Sequence, residues 1–394
     1  MHLVVRSALV ALVCLASVAF AADEAPVIFS DNFSTLEPGW GDDVELSVSD
    51  NKLLVDLKPG AIYADLYDGK RFDLSSADMR LTVARSAGSS VSAGGLVFWA
   101  IDYNNYYAAL VRSNGEFDIV RKSFGQWLVP VSLSPRDELK KEIGRPIELR
   151  VVTSGPMVTA YINGKQVTSF RGFPPSGESR IGIHAEPGGE PGRWAFSALS
   201  VRQGPAPATP SSLDESILFA DNFASLDPSW SQTSAQVSVG GNKLILRPLA
   251  HGAVSFAYDG RLFEDADIRL KISEIAGGTT SAGGLRFWGA DEKNFYAAFL
   301  RADGNCWVAQ FADGKWQNLF PMKQRKSVLQ GLGQANELRV VTIADTATIY
   351  VNERQITRLE GQKHPEHSRI GLQVESDEMV NTWTISDFVV RKPQ

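Results

Sequence analysis

The stretch Gly94–Arg112, Gly-Gly-Leu-Val-Phe-Trp-Ala-Ile-Asp-Tyr-Asn-Asn-Tyr-Tyr-Ala-Ala-Leu-Val-Arg, returns 189 residues later. There it reads Gly-Gly-Leu-Arg-Phe-Trp-Gly-Ala-Asp-Glu-Lys-Asn-Phe-Tyr-Ala-Ala-Phe-Leu-Arg, Gly283–Arg301. The correspondence runs along the whole chain. Phe29-Ser-Asp-Asn-Phe33 and Trp40 match Phe219-Ala-Asp-Asn-Phe223 and Trp230. Tyr67-Asp-Gly matches Tyr258-Asp-Gly, Glu148-Leu-Arg-Val-Val matches Glu337-Leu-Arg-Val-Val, and Trp194 matches Trp383. A duplication of this length means two copies of one domain, not a short-period solenoid.

Four segments follow. Residues 1–21 carry Arg6, an apolar run too short to span a bilayer, and the small-x-small site Ala19-Phe20-Ala21, the pattern of a cleaved export leader. Residues 26–203 form the first copy and 217–392 the second. Between them, 204–216 begins Gly-Pro-Ala-Pro-Ala-Thr-Pro, a semi-rigid spacer because proline cannot join a ladder and favours extended backbone. Loss of the leader removes Arg6 and lowers the 39 Lys and Arg to 38, against 45 Asp and Glu, a net charge of −7. That charge disfavours nucleic acid and anionic lipid as partners. It also removes Cys14 and leaves Cys306 without an internal disulfide partner. The expected location is therefore periplasmic or extracellular, with no membrane span after cleavage.

Within each copy, short runs alternate apolar and polar residues: Val44–Val48, Lys52–Leu57, Met79–Ala84, Ile147–Thr153, Val158–Ile162 and Arg180–His184. Gly, Asn, Asp or Pro separates most of them. Regular short strands with turn signals predict an all-β chain of two tandem antiparallel β-sandwiches. Asn163-Gly164 predicts a hairpin turn. Ser134-Pro-Arg-Asp137 predicts a helix start with Pro at its first position, ended by Gly144.

The Phe-x-Asp-Asn-Phe…Trp opening, the Gly-Gly-Leu-x-Phe-Trp…Asp-x-x-Asn-aromatic-Tyr pair, the Tyr161-Ile-Asn-Gly hairpin and the closing Trp-x-aliphatic/aromatic-Ser pattern resemble the concanavalin A-like lectin/glucanase superfamily. Laminin G-like and 3-keto-disaccharide hydrolase-like domains are the nearest in pattern. The resemblance covers nearly all of both halves. It implies a jelly roll with any glycan on its concave face. Lectins, glucanases, lyases and adhesion modules share that fold, so it does not choose among activities.

Alternation along Leu96-Val-Phe-Trp99 assigns Leu96 and Phe98 to the core. Position 97 holds valine in one copy and arginine, Arg286, in the other, so the opposite face reads as accessible, with Trp99 and Trp288 on it either to stack against a sugar or to pack under a loop as structural aromatics. Tyr106 becomes Phe295 and reads as core. Tyr107 and Tyr296 keep their hydroxyls and read as ligand-facing; Arg112 and Arg301 at the strand end either bind an acidic or hydroxylated sugar or form a cross-strand charge pair. Asp118, which becomes Trp307, marks a face whose chemistry differs between the copies. The calcium candidates are Asp102 with Asn105 and Asp291 with Asn294, although Asx residues also serve as turn formers. No other cofactor is expected.

Glu116-Phe-Asp118-Ile-Val-Arg121 resembles the carboxylate strand of laminarinase-type retaining glucanases, which places a nucleophile and an acid about 5–5.5 Å apart. Here the last glutamate is Arg121, and Asn305-Cys-Trp-Val-Ala-Gln310 has no carboxylate. Glu116 and Asp118 are the only catalytic candidates, and the balance leans against an enzyme. The expected function is non-catalytic binding of carbohydrate or an extracellular or envelope surface. A glycoside or 3-keto-disaccharide hydrolase, or a structural protein–protein interaction module, is the alternative.

Overall fold

A computed structural model describes residues 25–140, 145–206, 216–230 and 235–394. The leader, Gly144 and most of the linker lie outside the described residues. Each copy is an antiparallel β-sandwich of an eight-stranded and a six-stranded sheet.

In the first copy the six-stranded sheet runs Tyr63–Leu66, Arg180–Glu186, Ala93–Asp102, Asn105–Arg112, Glu116–Ser123, Gln126–Pro135. In the second it runs Ala253–Ala257, Arg369–Glu375, Ala282–Asp291, Asn294–Arg301, Asn305–Ala312, Lys315–Gln324. The strands of the eight-stranded sheets show simple alternation: Ile147–Ser154 buries every second residue, as half-buried strands do. Ala93–Asp102 and Ala282–Asp291 are different. Their first eight residues are all buried, so both faces of these central strands are covered.

The duplicated motifs are mostly packing devices. Asp31 accepts the Phe33 N–H at 2.7 Å and the Trp40 Nε1–H at 2.8 Å. Asp221 does the same for Phe223 and Trp230, at 2.7 and 2.8 Å. A carboxylate so bonded clasps the entry strand to a buried indole. The paired glycines are steric necessities. A Cβ on Gly94 or Gly283 would run into the indole of Trp194 or Trp383, and one on Gly95 or Gly284 into the Ala109 or Ala298 carbonyl of the next strand.

Asn163-Gly164 forms the expected two-residue hairpin, both residues at positive φ between paired Ile162 and Lys165. The helix differs from expectation. The strand continues through Pro135, on the sheet edge where its missing N–H is harmless, and the helix occupies Asp137–Lys140. Cys306 is buried, and burial pushes its thiol up to about 11.

Candidate functional site

Trp99 and Trp288 are core residues, not accessible ones, only 2% and 3% exposed. The reason is a β-bulge. Pairing breaks between Phe98 and Asp102, and again between Phe287 and Asp291. Trp99 and Trp288 sit at φ of 51° and 50° in those breaks. The bulge cancels the alternation that would send them outward, so each indole lies on the same side as its neighbouring phenylalanine. Trp288 stacks on His364 with centroids 4.3 Å apart.

The adjacent tyrosines exchange the roles expected of them. Tyr107 pairs with Phe98 and is buried in the core, edge-on to Trp99 at 5.5 Å. Its hydroxyl accepts the Phe173 N–H at 3.1 Å. Tyr296 is also core, donating to the Lys363 carbonyl at 2.8 Å. Tyr106, read as core, lies on the outer face of the sheet with Val97, Ala108 and Leu110.

The Asx pairs are engaged with the turn itself. Asp102 accepts the Asn104 N–H at 2.7 Å and the Asn105 Nδ2–H at 3.0 Å, while the Asn105 carbonyl oxygen takes the Phe124 N–H. Asp291 and Asn294 repeat the arrangement with Lys293 and Asp313. The asparagine amides turn donors, not oxygens, toward the carboxylates. Among the described residues no three His, Cys, Asp or Glu side chains gather as a metal set.

What remains is the outer face of the six-stranded sheet, and the two copies build it differently. In the first copy, Arg112 donates to Asp118 at 3.0 Å and to Glu186 at 3.3 Å. His184, fully buried, donates from Nε2 to Glu186 at 3.0 Å and packs beside Tyr106 and Trp127. Burial raises the Asp118 carboxyl despite Arg112. For Glu186, burial is outweighed by His184 and Arg112, which hold it below the usual range. Glu116 stands at the strand start, bound to the Asn114 amide at 2.6 Å. The only two catalytic candidates are thus held by an asparagine and an arginine.

In the second copy the same positions turn aromatic. Trp307 replaces Asp118, Phe299 replaces Leu110, Phe311 replaces Lys122 and Phe295 replaces Tyr106. Cross-strand pairing stacks them: Phe299 on Trp307 at 4.9 Å, Phe295 against Phe311 at 5.3 Å, Trp316 against Phe311 at 4.9 Å. Arg286 does lie on this face, as its position implied, but it is buried. It sits 3.8 Å from the Phe295 ring centre, bonded to Glu292 and Ser255.

Losing Asp118 frees the arginine and the glutamate. Arg301 pairs with Asp303 at 2.9 Å, and Glu375 takes a hydrogen bond from Gln373 at 3.2 Å. Burial raises the Glu375 carboxyl. Between them opens a pocket of about 290 Å³, rimmed by Trp307, Arg301, Asn318, Met322 and Glu375.

No protein-family model and no curated protein matches the chain. Solved structures do. The carbohydrate-binding module CBM66 from Bacillus subtilis is 15% identical over 40% of this chain and 94% of that one, with a TM-score of 0.34. The catalytic domain of an endo-1,3-beta-glucanase (laminarinase) from Thermotoga petrophila is 10% identical over 45% and 98%, TM-score 0.37. Sheep galectin-11 is 15% identical over 34% and 97%, TM-score 0.25.

Of the residues singled out from sequence, the structure brings Arg112 and Asp118 together in one copy, and Arg301 and Trp307 in the other. Glu375, Asn318 and the aromatic ladder were missed. The signal for the ladder was present: Trp307 and Phe311, which stand where the first copy carries the charged Asp118 and Lys122, lie on the same face as Phe295 and Phe299.

Proposed function

We propose that the chain is an exported, non-catalytic carbohydrate-binding protein whose neutral-sugar site is the outer face of the second sandwich. The observation that carries this reading is Trp307 standing where the first copy has Asp118. It supplies a part-exposed indole beside Arg301, Glu375 and Asn318. A sugar needs both components: an apolar ring face covered by an aromatic, and hydroxyls met by a few fixed polar groups. Here Glu375 accepts, Arg301 donates, and Asn318 does either. Support for a non-catalytic role comes from the carboxylates. Retaining hydrolysis needs two of them flanking the bond, whereas Asp118 is held by Arg112 and the second copy has Trp307 there. Export rests on the leader pattern of residues 1–21.

Calorimetric titration of the full chain against a panel of neutral β-linked oligosaccharides tests the reading. Binding that weakens more than tenfold in Trp307→Ala, and is unchanged in Asp118→Ala, supports it. Binding that ignores Trp307, or sugar release with time, overturns it.

A further inference from the structure

The two sandwiches meet across a cleft of about 680 Å³. Its wall is built around Phe173, in the Gly-Phe-Pro-Pro segment after the Lys165–Arg171 strand. The Phe173 N–H is held by the buried Tyr107 hydroxyl, and its ring packs on the second core near Phe219 and Tyr258. Two guanidinium groups flank this ring. Arg121 of the first copy lies 5.5 Å from the ring centre and Arg261 of the second copy 5.3 Å. Arg121 spends one N–H on the Gly260 carbonyl, and Arg261 one on the Leu218 carbonyl.

Among the described residues neither arginine has a carboxylate within ion-pair reach, although this chain pairs many of its other arginines. The acidic groups nearby are otherwise engaged. Glu264 lies 3.3 Å from the His367 ring nitrogen, and Asp265 accepts the Ala344 N–H. Arg171, also in the cleft, has its charge beside Asp221, and its backbone N–H serves Asp227. Burial and the neighbouring Arg121 charge lower the Arg261 proton affinity by more than Tyr107, Tyr258 and the Glu264 carboxylate raise it, the mark of like charges held together. An arrangement that gathers two cations on one aromatic ring with no carboxylate in contact with either lowers its energy by taking an oxyanion, and a guanidinium fork suits carboxylate or sulfate.

We propose that this cleft binds the carboxylate or sulfate of an acidic saccharide, with Arg121 and Arg261 clamping the oxyanion and Phe173 beneath the sugar. The saccharide part rests on the carbohydrate reading above; the oxyanion part stands on the charges alone. Because one arginine comes from each copy, the ligand would be held only by the docked pair.

The test is calorimetry on the full chain with three probes: a neutral oligosaccharide, its uronate-bearing counterpart and its sulfated counterpart. The chains are the unaltered protein, Trp307→Ala and Arg121→Gln/Arg261→Gln. The expected result is that the double change weakens an acidic probe more than tenfold and leaves the neutral probe unchanged, while Trp307→Ala does the reverse. Preference between uronate and sulfate identifies the source of the oxyanion. Acidic probes bound within twofold by the double variant, or lost only with Trp307→Ala, overturn the cleft site even if the Trp307 site stands. Should the double variant unfold, Arg121→Lys/Arg261→Lys keeps both charges but loses the fork. Unaltered acidic-probe affinity in that variant, with no competition by millimolar sodium sulfate in the unaltered protein, overturns the proposal as well.

Discussion

The Trp99 indole donates its Nε1–H to the Leu74 carbonyl at 2.8 Å, and that oxygen also accepts the Thr153 hydroxyl at 2.7 Å. The bulge that turns Trp99 inward thereby ties the six-stranded sheet to the segment entering the Ser76–Ala87 strand. Trp99→Ala is expected to cost about 3–5 kcal/mol, the range for a fully buried large aromatic. The carbonyl keeps Thr153, so the loss is one of packing more than of an orphaned acceptor. Urea unfolding measures it. Oligosaccharide affinity per folded molecule should not change, and a stable Trp99→Ala with weakened binding would return Trp99 to the ligand face.

Arg112 and Asp118 should show strong coupling. Removing Arg112 alone leaves a buried carboxylate uncompensated, a change that costs about 3–5 kcal/mol in buried pairs. Glu186 retains His184 and softens the effect. Arg112→Met combined with Asp118→Leu should recover most of the loss, since the flanking Leu110 and Val120 are apolar. A double-mutant cycle by chemical denaturation decides, and strictly additive losses would refute the pairing.

Asp65 makes the first sandwich pH-sensitive. Burial, then Asp43 and Asp68, outweigh the Leu66 N–H and raise its carboxyl from 3.8 to about 7. The folded state therefore holds this proton more tightly than the unfolded chain. The stabilising contribution is full below pH 3.8 and disappears as pH rises through about 7. The rise corresponds to on the order of 4 kcal/mol. Asp65→Asn should be progressively more stable than the unaltered protein between pH 5 and 8, in thermal melts at fixed ionic strength. A gap independent of pH would contradict the shift.

The Asp31–Trp40 clasp should matter to stability and not to binding. Asp31→Ala removes the acceptor of two buried donors and is expected to destabilise by about 1–3 kcal/mol per orphaned donor. Asp221→Ala should behave alike in the second sandwich. Differential scanning calorimetry of the single changes separates the two halves, and an unshifted transition would show the donors satisfied elsewhere.

The two-sandwich architecture was legible because both its causes repeat: period-two burial in the strands and turn residues between them. Most strand positions follow directly, as Lys52–Leu57 does. The site was less legible, for one local reason and one distant one. Locally, a bulge is an exception to alternation, and nothing in Phe98-Trp99-Ala100 announces it; the rule therefore placed Trp99 outside. At a distance, Arg286 signalled an outward-facing position correctly, yet facing outward is not exposure when Phe295, Ser255 and Glu292 converge on it. The difference Asp118/Trp307 survived because it compares chemistry between copies and assumes no geometry.

Phe173 alters what the duplication means. Repetition of sequence suggests beads on a string, each able to exist without the other. Here the first copy lends the second a half-buried ring that packs on its core. Arg121 and Arg171 reach across to the Gly260 and Ala220 carbonyls of the second copy, and Arg369 reaches back to the carbonyl of Trp127. A second sandwich made alone would begin with a gap where the ring belongs and with those carbonyls facing water. The unit of inheritance is one sandwich; the surface that closes the second core is shared by the pair.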